Sequence, residues 1–140
     1  MTLNYGRPAN PEAFVIGVLM PLGLPVRTER DEDMGLPCYT VTAVNPKHNK
    51  FMLWATVSVH SYGQGNTPQE GRAIASDAAW NADNALISVT PGDVITMADG
   101  RTASAWINCE MAPTFADYQD PFIKRYVGRY NAELRFNPTH

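Results

Sequence analysis

The sequence predicts an α+β domain of two layers, with helices packed on one face of a mostly antiparallel or mixed sheet of four to five strands. Segments with the period-two alternation of strands occur before and after a long helical segment. Two segments open with helix-start signals. The chain has 140 residues, of which 44% are hydrophobic and 18% charged. This size and composition are typical of one globular domain, which is expected to span residues 1–140.

The first helix is predicted to begin at residues 10–12 (Asn-Pro-Glu), because Asn favours the N-cap, Pro the first helical position and Glu the first turn. Residues 13–20 are apolar on nearly every side, which indicates a short and heavily buried helix. Pro21 and Gly23 then end this helix.

Residues 27–37 are predicted to form a mobile loop. Thr28 to Asp33 are dense in charge and have no apolar period, which is typical of a solvated loop. A second interpretation is an arm that becomes ordered only against a partner.

A β-hairpin is predicted next. Residues 38–44 are rich in residue types that favour strands, and residues 45–49 form a turn cluster. Residues 51–60 alternate, with apolar side chains at the odd positions and a mixed set, including Trp54, at the even positions. The odd positions are therefore expected to face the core.

The second helix is predicted over about residues 67–88, because Thr67 and Glu70 form a capping box around a proline. Trp80 lies outside the apolar stripe of this helix, and Asp83 is expected on the opposite side. The stripe consists of Ile74, Ala75, Ala78, Ala82, Ala85, Leu86 and Val89.

Three further strands are predicted in the last third of the chain. Residues 94–97 form a short strand, and the Asp-Gly pair at 99–100 is a hairpin signal before a strand over residues 102–109. Residues 110–121 are predicted to be a loop. Residues 126–136 show the cleanest alternation, with aromatic and small side chains on one face and polar ones on the other.

Composition excludes several classes of protein. The chain has a net charge of −3, whereas nucleic-acid-binding domains carry an excess of basic residues.

Cys38 and Cys109 are expected to be reduced, buried thiols. The three histidines show no ligand spacing, so no metal and no cofactor are expected. The apolar stretch over residues 13–24 is too short to cross a bilayer and lacks signal-peptide flanks, so we expect no membrane contact.

Candidate catalytic residues are few. His60 lies near Ser58 and Ser61, but the spacing along one strand does not suit a nucleophile–base pair, so a structural histidine is expected. The segment G-Q-G-N at residues 63–66 precedes a helix, yet it lacks the lysine of a P-loop and the third glycine of a dinucleotide site. No catalytic residue is therefore predicted.

Five aromatic side chains lie outside the predicted core faces. Trp54 and Trp106 lie on the second faces of their strands, and Trp80 lies beside the helix stripe. Phe115 and Tyr118 lie in the predicted loop and are expected to be exposed. Because tryptophan and tyrosine are enriched at interface hot spots, we interpret the chain as a protein–protein assembly module.

Six short motifs follow one another along the chain. They are P-L-G at 21–23, V-S-V-H-S at 57–61, P-G-D-V at 91–94, A-D-G-R at 98–101, M-A-P at 111–113 and R-Y-V-G-R-Y-N-A-E-L-R at 125–135. In this order and spacing, residues 12–135 resemble the tail terminator proteins of long-tailed bacteriophages, especially those that infect actinobacteria.

The resemblance implies a structural protein of the virion, assembled in the host cytoplasm and located at the head–tail junction. Its copies would close into a ring, of six members in this family, that caps the tail tube. The ring would stop polymerisation of the major tail tube protein and join the tail to the head-completion or neck proteins. Genome DNA would pass through the ring without specific binding.

Interface residues can be assigned on this basis. Trp80, Phe115 and Tyr118 would be the apolar anchors of assembly. The polar face of the last strand would form ion pairs between subunits, and its candidates are Arg129, Glu133 and Arg135. At exposed sites such pairs contribute about 0–1 kcal/mol each and would set register more than affinity.

Two alternatives stay open at this stage. One is another ring of the same region, a head–tail connector or neck adaptor that contacts the portal side. The other, more remote, is a small α+β enzyme that uses His60 or Cys38.

Overall fold

The computed structural model describes residues 10–49 and 51–136. The α+β class and the predicted order of elements are confirmed. In chain order, the elements are α1 (Pro11–Leu19), a 3-10 turn (Met20–Leu22), β1 (Val26–Arg27), β2 (Cys38–His48), β3 (Met52–Gly63), α2 (Pro68–Ile87), β4 (Ile95–Thr96), β5 (Thr102–Ala116) and β6 (Lys124–Phe136).

The strands form one mixed sheet in the order β1-β2-β3-β6-β5-β4. β1 runs parallel to β2, and every other neighbouring pair is antiparallel. The sheet therefore has six strands, whereas four to five are predicted. The extra strand is β1, at one edge, which has only two residues; β4, at the other edge, is the strand predicted over residues 94–97. A run of two residues is too short to show an alternation.

Both predicted helix starts are confirmed. The side-chain oxygen of Asn10 accepts hydrogen bonds from the backbone N–H groups of Glu12 and Ala13, at 2.8 and 3.3 Å. The Thr67 hydroxyl accepts one from the N–H of Glu70 at 3.1 Å, and α2 then runs for 20 residues. These bonds satisfy donors that the first helical turn leaves unpaired, and such a cap stabilises a helix by about 1 kcal/mol.

The helices cover one face of the sheet. Alternate side chains of β3 point to that face and share one core with α1 and α2. Small side chains at Ala78 and Ala82 let α2 lie close to the strands. The Tyr39 hydroxyl of β2 donates a hydrogen bond of 2.7 Å to the carbonyl of Ala78, and burial raises the pKa of Tyr39 to about 12. This hydroxyl therefore stays a donor throughout the physiological range.

The expectation for Asp83 is wrong. Its side chain is only 7% exposed, because the Tyr130 hydroxyl reaches it from β6 and donates a hydrogen bond of 2.9 Å to Oδ1. Burial and this carboxylate raise the pKa of Tyr130 well above its usual value. The buried carboxylate is thus paired, and the pair joins α2 to β6.

Two strands extend beyond their predicted limits. β2 continues through most of the predicted turn at residues 45–49, with an irregularity in its pairing after Val44. β5 continues to Ala116, with further irregularities after Cys109. Most of the predicted loop over residues 110–121 is therefore strand. Bulges of this kind add residues to a strand and shift its alternation, which hides the strand from a pattern of period two.

Candidate functional site

The face of the sheet opposite the helices is here called the open face. The odd positions of β3 point to the core, so its even positions point away from it. Residues of β2, β5 and β6 that pair in register with these even positions, directly or through β6, point to the same face. Outside the end that residues 27–37 cover, the side chains of the open face that are not buried include Thr42, Val44, Met52, Trp54, Thr56, Ser104, Trp106, Asn108, Arg129, Asn131, Glu133 and Arg135.

Two tryptophans stand in one row across the open face. Trp54 of β3 pairs in register with Glu133 of β6, and Glu133 pairs with Trp106 of β5. Trp54 is 38% exposed and Trp106 is 57% exposed. The prediction that both tryptophans lie away from the core is confirmed. An exposed apolar group rimmed by polar side chains is typical of a contact site.

Two hollows flank the Glu133 carboxylate. The one on the Trp106 side has a volume of about 310 Å³. The one on the Trp54 side has a volume of about 430 Å³ and includes Asn108 and Asn131 in its walls. The open face thus combines apolar projections with recesses that can receive side chains.

Three of the predicted interface residues lie together on this face. Arg129, Glu133 and Arg135 are at alternate positions of β6; the two arginines are exposed and Glu133 is half-buried. Neither arginine forms an ion pair within residues 10–49 and 51–136, where the ion pair that does form joins Arg27 to Asp31 at 3.5 Å. Their guanidinium groups are therefore available to a partner.

Trp80 lies in the other layer of the molecule, on the outer surface of α2, and is 50% exposed. Asp77, Asn84 and Ile87 share this side of the helix, because the four residues fall within an arc of about 80° at helical spacing. Their exposed side chains make up what is here called the outer face of α2. The structure thus separates Trp80 from the predicted ion-pair residues by the thickness of the sheet and helix.

Phe115 and Tyr118 are not exposed, which corrects the expectation for both. Phe115 lies in β5, where its ring is 5.8 Å from that of Tyr126 and 4.2 Å from the Arg72 guanidinium carbon. The Tyr118 ring packs edge-on against Tyr62 at 5.2 Å between centroids. Both side chains are half-buried in contacts within their own chain. Their role as assembly anchors stays a prediction.

Residues 27–37 cover one end of the β2–β3–β6 surface. Met34 is buried with Cys38, Tyr62 and Ile123 in a second, smaller core. The acidic side chains of the segment are exposed, as a solvated loop predicts. The segment therefore packs on the sheet through a few side chains, and its mobility stays a prediction.

Neither thiol is activated. Both cysteines are free, and Cys109 is exposed, which corrects the expectation that both are buried. Burial raises the pKa of Cys38, with a partial offset from Arg30, and burial and Asp83 raise the pKa of Cys109. A thiol with a raised pKa is a poor nucleophile at neutral pH. Among the described residues, no three His, Cys, Asp or Glu side chains lie together as metal ligands would.

His60 is a half-buried imidazole in the middle of the sheet, on β3. It stacks on Tyr62 at 6.4 Å between centroids, and its Nδ1 is buried without a hydrogen-bond partner. Burial, followed by the charges of Arg125 and Arg129, lowers the pKa of His60 below its usual value of 6.5. The sequence singles out His60 and Arg129 separately but does not show that Arg125 and Arg129 lie beside the imidazole, because their proximity depends on strand register.

Lowering the pH is expected to destabilise the fold through His60. The unfolded chain binds this proton more strongly than the folded chain does, so the free energy of unfolding falls as the pH drops through 6.5 and levels off below the folded pKa. Urea denaturation at a series of pH values between about 5 and about 8 measures the free energy of unfolding. The decrease in the free energy of unfolding at low pH should be smaller in His60→Gln. It should be unchanged in His48→Gln, because the side chain of His48 is exposed. Identical slopes in both variants would contradict the assignment.

Among the described helices, none is both long enough and apolar enough to cross a bilayer. No protein-family model matches this chain, and no curated protein is similar to it at a significant level.

Proposed function

We propose that this chain is a structural subunit that assembles head to tail into a ring, in the manner of a phage tail terminator. The observation that carries the proposal is the row of Trp54, Glu133 and Trp106 on the open face. Two large apolar side chains lie there outside the core of their own chain. A neighbouring copy that covers them would remove apolar surface from water, which stabilises the contact by about 25 cal/mol for each Å² buried.

The partner of the open face is proposed to be the outer face of α2 in the next copy. That face offers two apolar side chains, Trp80 and Ile87, and the exposed carboxylate of Asp77. The open face offers tryptophans together with the unpaired guanidinium groups of Arg129 and Arg135. The two surfaces thus match in apolar content and in charge.

Head-to-tail contact supports a ring more than a dimer. The two surfaces lie in different layers of the molecule, so each copy can bind one neighbour through each surface. A contact of this kind forms a closed ring when the rotation between copies closes. The resemblance to tail terminators is the basis for three further parts of the proposal: a ring of six copies, a location in the virion and a role at the head–tail junction.

The proposed role is steric. A ring seated on the last layer of the tail tube would occupy the surface to which the next layer of tube protein binds, and its other side would meet the neck proteins. The genome would pass through the opening. No chemical step is needed for this function.

The experiment combines the purified chain with the tail tube protein and, separately, with the portal-side proteins from the same virus. We expect rings in negative-stain images, and shorter tubes as the amount of the chain is increased. Binding to the portal-side proteins with unchanged tube length would favour a neck adaptor. A monomer that binds neither partner would contradict both assignments.

A further inference from the structure

Three arginines and a histidine converge where residues 27–37 meet the sheet. Arg125 and Arg129 lie two residues on either side of Val127 in β6, and Val127 pairs in register with His60 of β3. Both arginines are therefore diagonal neighbours of the imidazole on one face of the sheet. Arg125 also pairs directly with Tyr62.

The third arginine enters from the covering segment. The guanidinium carbon of Arg30 lies 5.7 Å from the ring centroids of both Tyr62 and Tyr118. The guanidinium carbon of Arg125 lies 5.5 Å from the Tyr118 centroid. The two cations thus share one aromatic ring, which holds their planar groups in place.

Arg30 donates one hydrogen bond to the Tyr118 hydroxyl, and Arg125 donates one to the backbone carbonyl of Asp117, but other donors of the cluster have no partner. Arg30 Nε, Arg125 Nε and His60 Nδ1 are buried and have no hydrogen-bond partner. Within residues 10–49 and 51–136, none of Arg30, Arg125 and Arg129 forms an ion pair. Arg30 and Arg125 are half-buried, and partial burial of two like charges without a counter-ion is costly. In a chain whose net charge is −3, such a cluster points to a missing anion.

We propose that the cluster formed by Arg30, His60, Arg125 and Arg129 binds a free tetrahedral oxyanion of the phosphate class. Such an ion carries up to two negative charges and several acceptor oxygens in different directions, which suits donors that come from three separate segments. A single carboxylate has two oxygens in one plane and would satisfy fewer of them. The site needs no second copy, because both of its strands and its covering segment belong to one chain, and it shares only Arg129 with the proposed ring contact.

The first test follows the His60 ring by NMR in the full chain. Inorganic phosphate is titrated at constant ionic strength, with chloride as the balancing anion. We expect saturable shifts of the His60 resonances at millimolar phosphate, and a rise in the pKa of His60 in the bound state, because a nearby anion favours the charged imidazolium. Shifts that do not saturate with phosphate, or no shifts, would overturn the proposal.

The second test compares two arginines on the same face of β6. Arg129→Gln is expected to weaken phosphate binding about tenfold, since it removes a charge-assisted donor next to His60. Arg129 is exposed, and its side chain forms no ion pair with any of the described residues. Arg135→Gln, six residues further along and roughly 20 Å away, should leave the affinity unchanged. Equal losses in the two variants would overturn the proposal.

A third arm identifies the source of the phosphate. A short single-stranded DNA presents phosphate groups as part of a polymer backbone. The proposal predicts that inorganic phosphate binds and that the DNA does not compete with it. DNA binding that depends on Arg129, without binding of inorganic phosphate, would overturn the assignment of a free anion.

Discussion

Gly63→Ala is expected to destabilise the folded chain by about 3 kcal/mol or more and to lower its Tm by about 10 °C. Gly63 ends β3 directly beneath the first turns of α2. An added Cβ would lie 2.6 Å from the backbone nitrogen of Ala75 and 2.8 Å from the carbonyl oxygen of Gly71. Both are backbone atoms of the helix, so the overlap cannot be relieved by a side-chain rotation and α2 must move away from the sheet.

Gly35→Ala is the matched control for this substitution. A Cβ at Gly35 would meet no heavy atom within 4 Å, and its backbone is not in the left-handed region. The control is therefore expected to change stability by less than about 0.5 kcal/mol. Thermal unfolding followed by circular dichroism compares the two. If both variants melt like the parent chain, the close approach of β3 and α2 is wrong.

Trp106→Ala is expected to weaken self-assembly about 30-fold or more while the monomer stays folded. Trp106 is 57% exposed in the single chain, so little internal packing depends on it. In the proposed ring it is a central anchor, and such anchors cost about 2 kcal/mol or more when truncated. Sedimentation velocity over a range of concentrations measures the loss, and circular dichroism checks the fold.

Phe122→Ala is the control for this second prediction. Phe122 is an aromatic side chain that is 67% exposed, in the loop between β5 and β6 and outside both proposed contact surfaces. Its removal should leave assembly unchanged. Equal effects of the two substitutions would mean that general surface hydrophobicity drives association, and a loss of the folded signal in Trp106→Ala would place that side chain in the core.

The sequence was sufficient wherever local rules decide the structure. The Thr67 cap predicts the start of α2 because the capping bond is local to one turn. The alternation in β3 and β6 predicts which side chains leave the core, so Trp54 and Trp106 are found on the outward face. Of the predicted interface residues, Arg129 and Arg135 have unpaired charges on that face, as a contact role requires.

The remaining features depend on contacts between distant segments. Asp83 is buried because the Tyr130 hydroxyl meets it from another element, and nothing in the helix pattern records this partner. Phe115 belongs to a strand whose bulges break the alternation. Arg30 lies in a charge-dense run that predicts solvation, yet stacking on Tyr118 holds it against the sheet. Tertiary packing overrides local propensity at each of these positions.

The account depends on contact between the open face of one copy and the outer face of α2 of the next, and native mass spectrometry of a mixture tests this most directly. Trp106→Ala impairs the first surface and Trp80→Ala impairs the second, so each variant alone should be largely monomeric. Mixed in equal amounts, they should form a one-to-one dimer and no ring, because one intact surface of each kind remains. A homodimer of Trp80→Ala, or a monomeric parent chain of 15.5 kDa, would contradict the account.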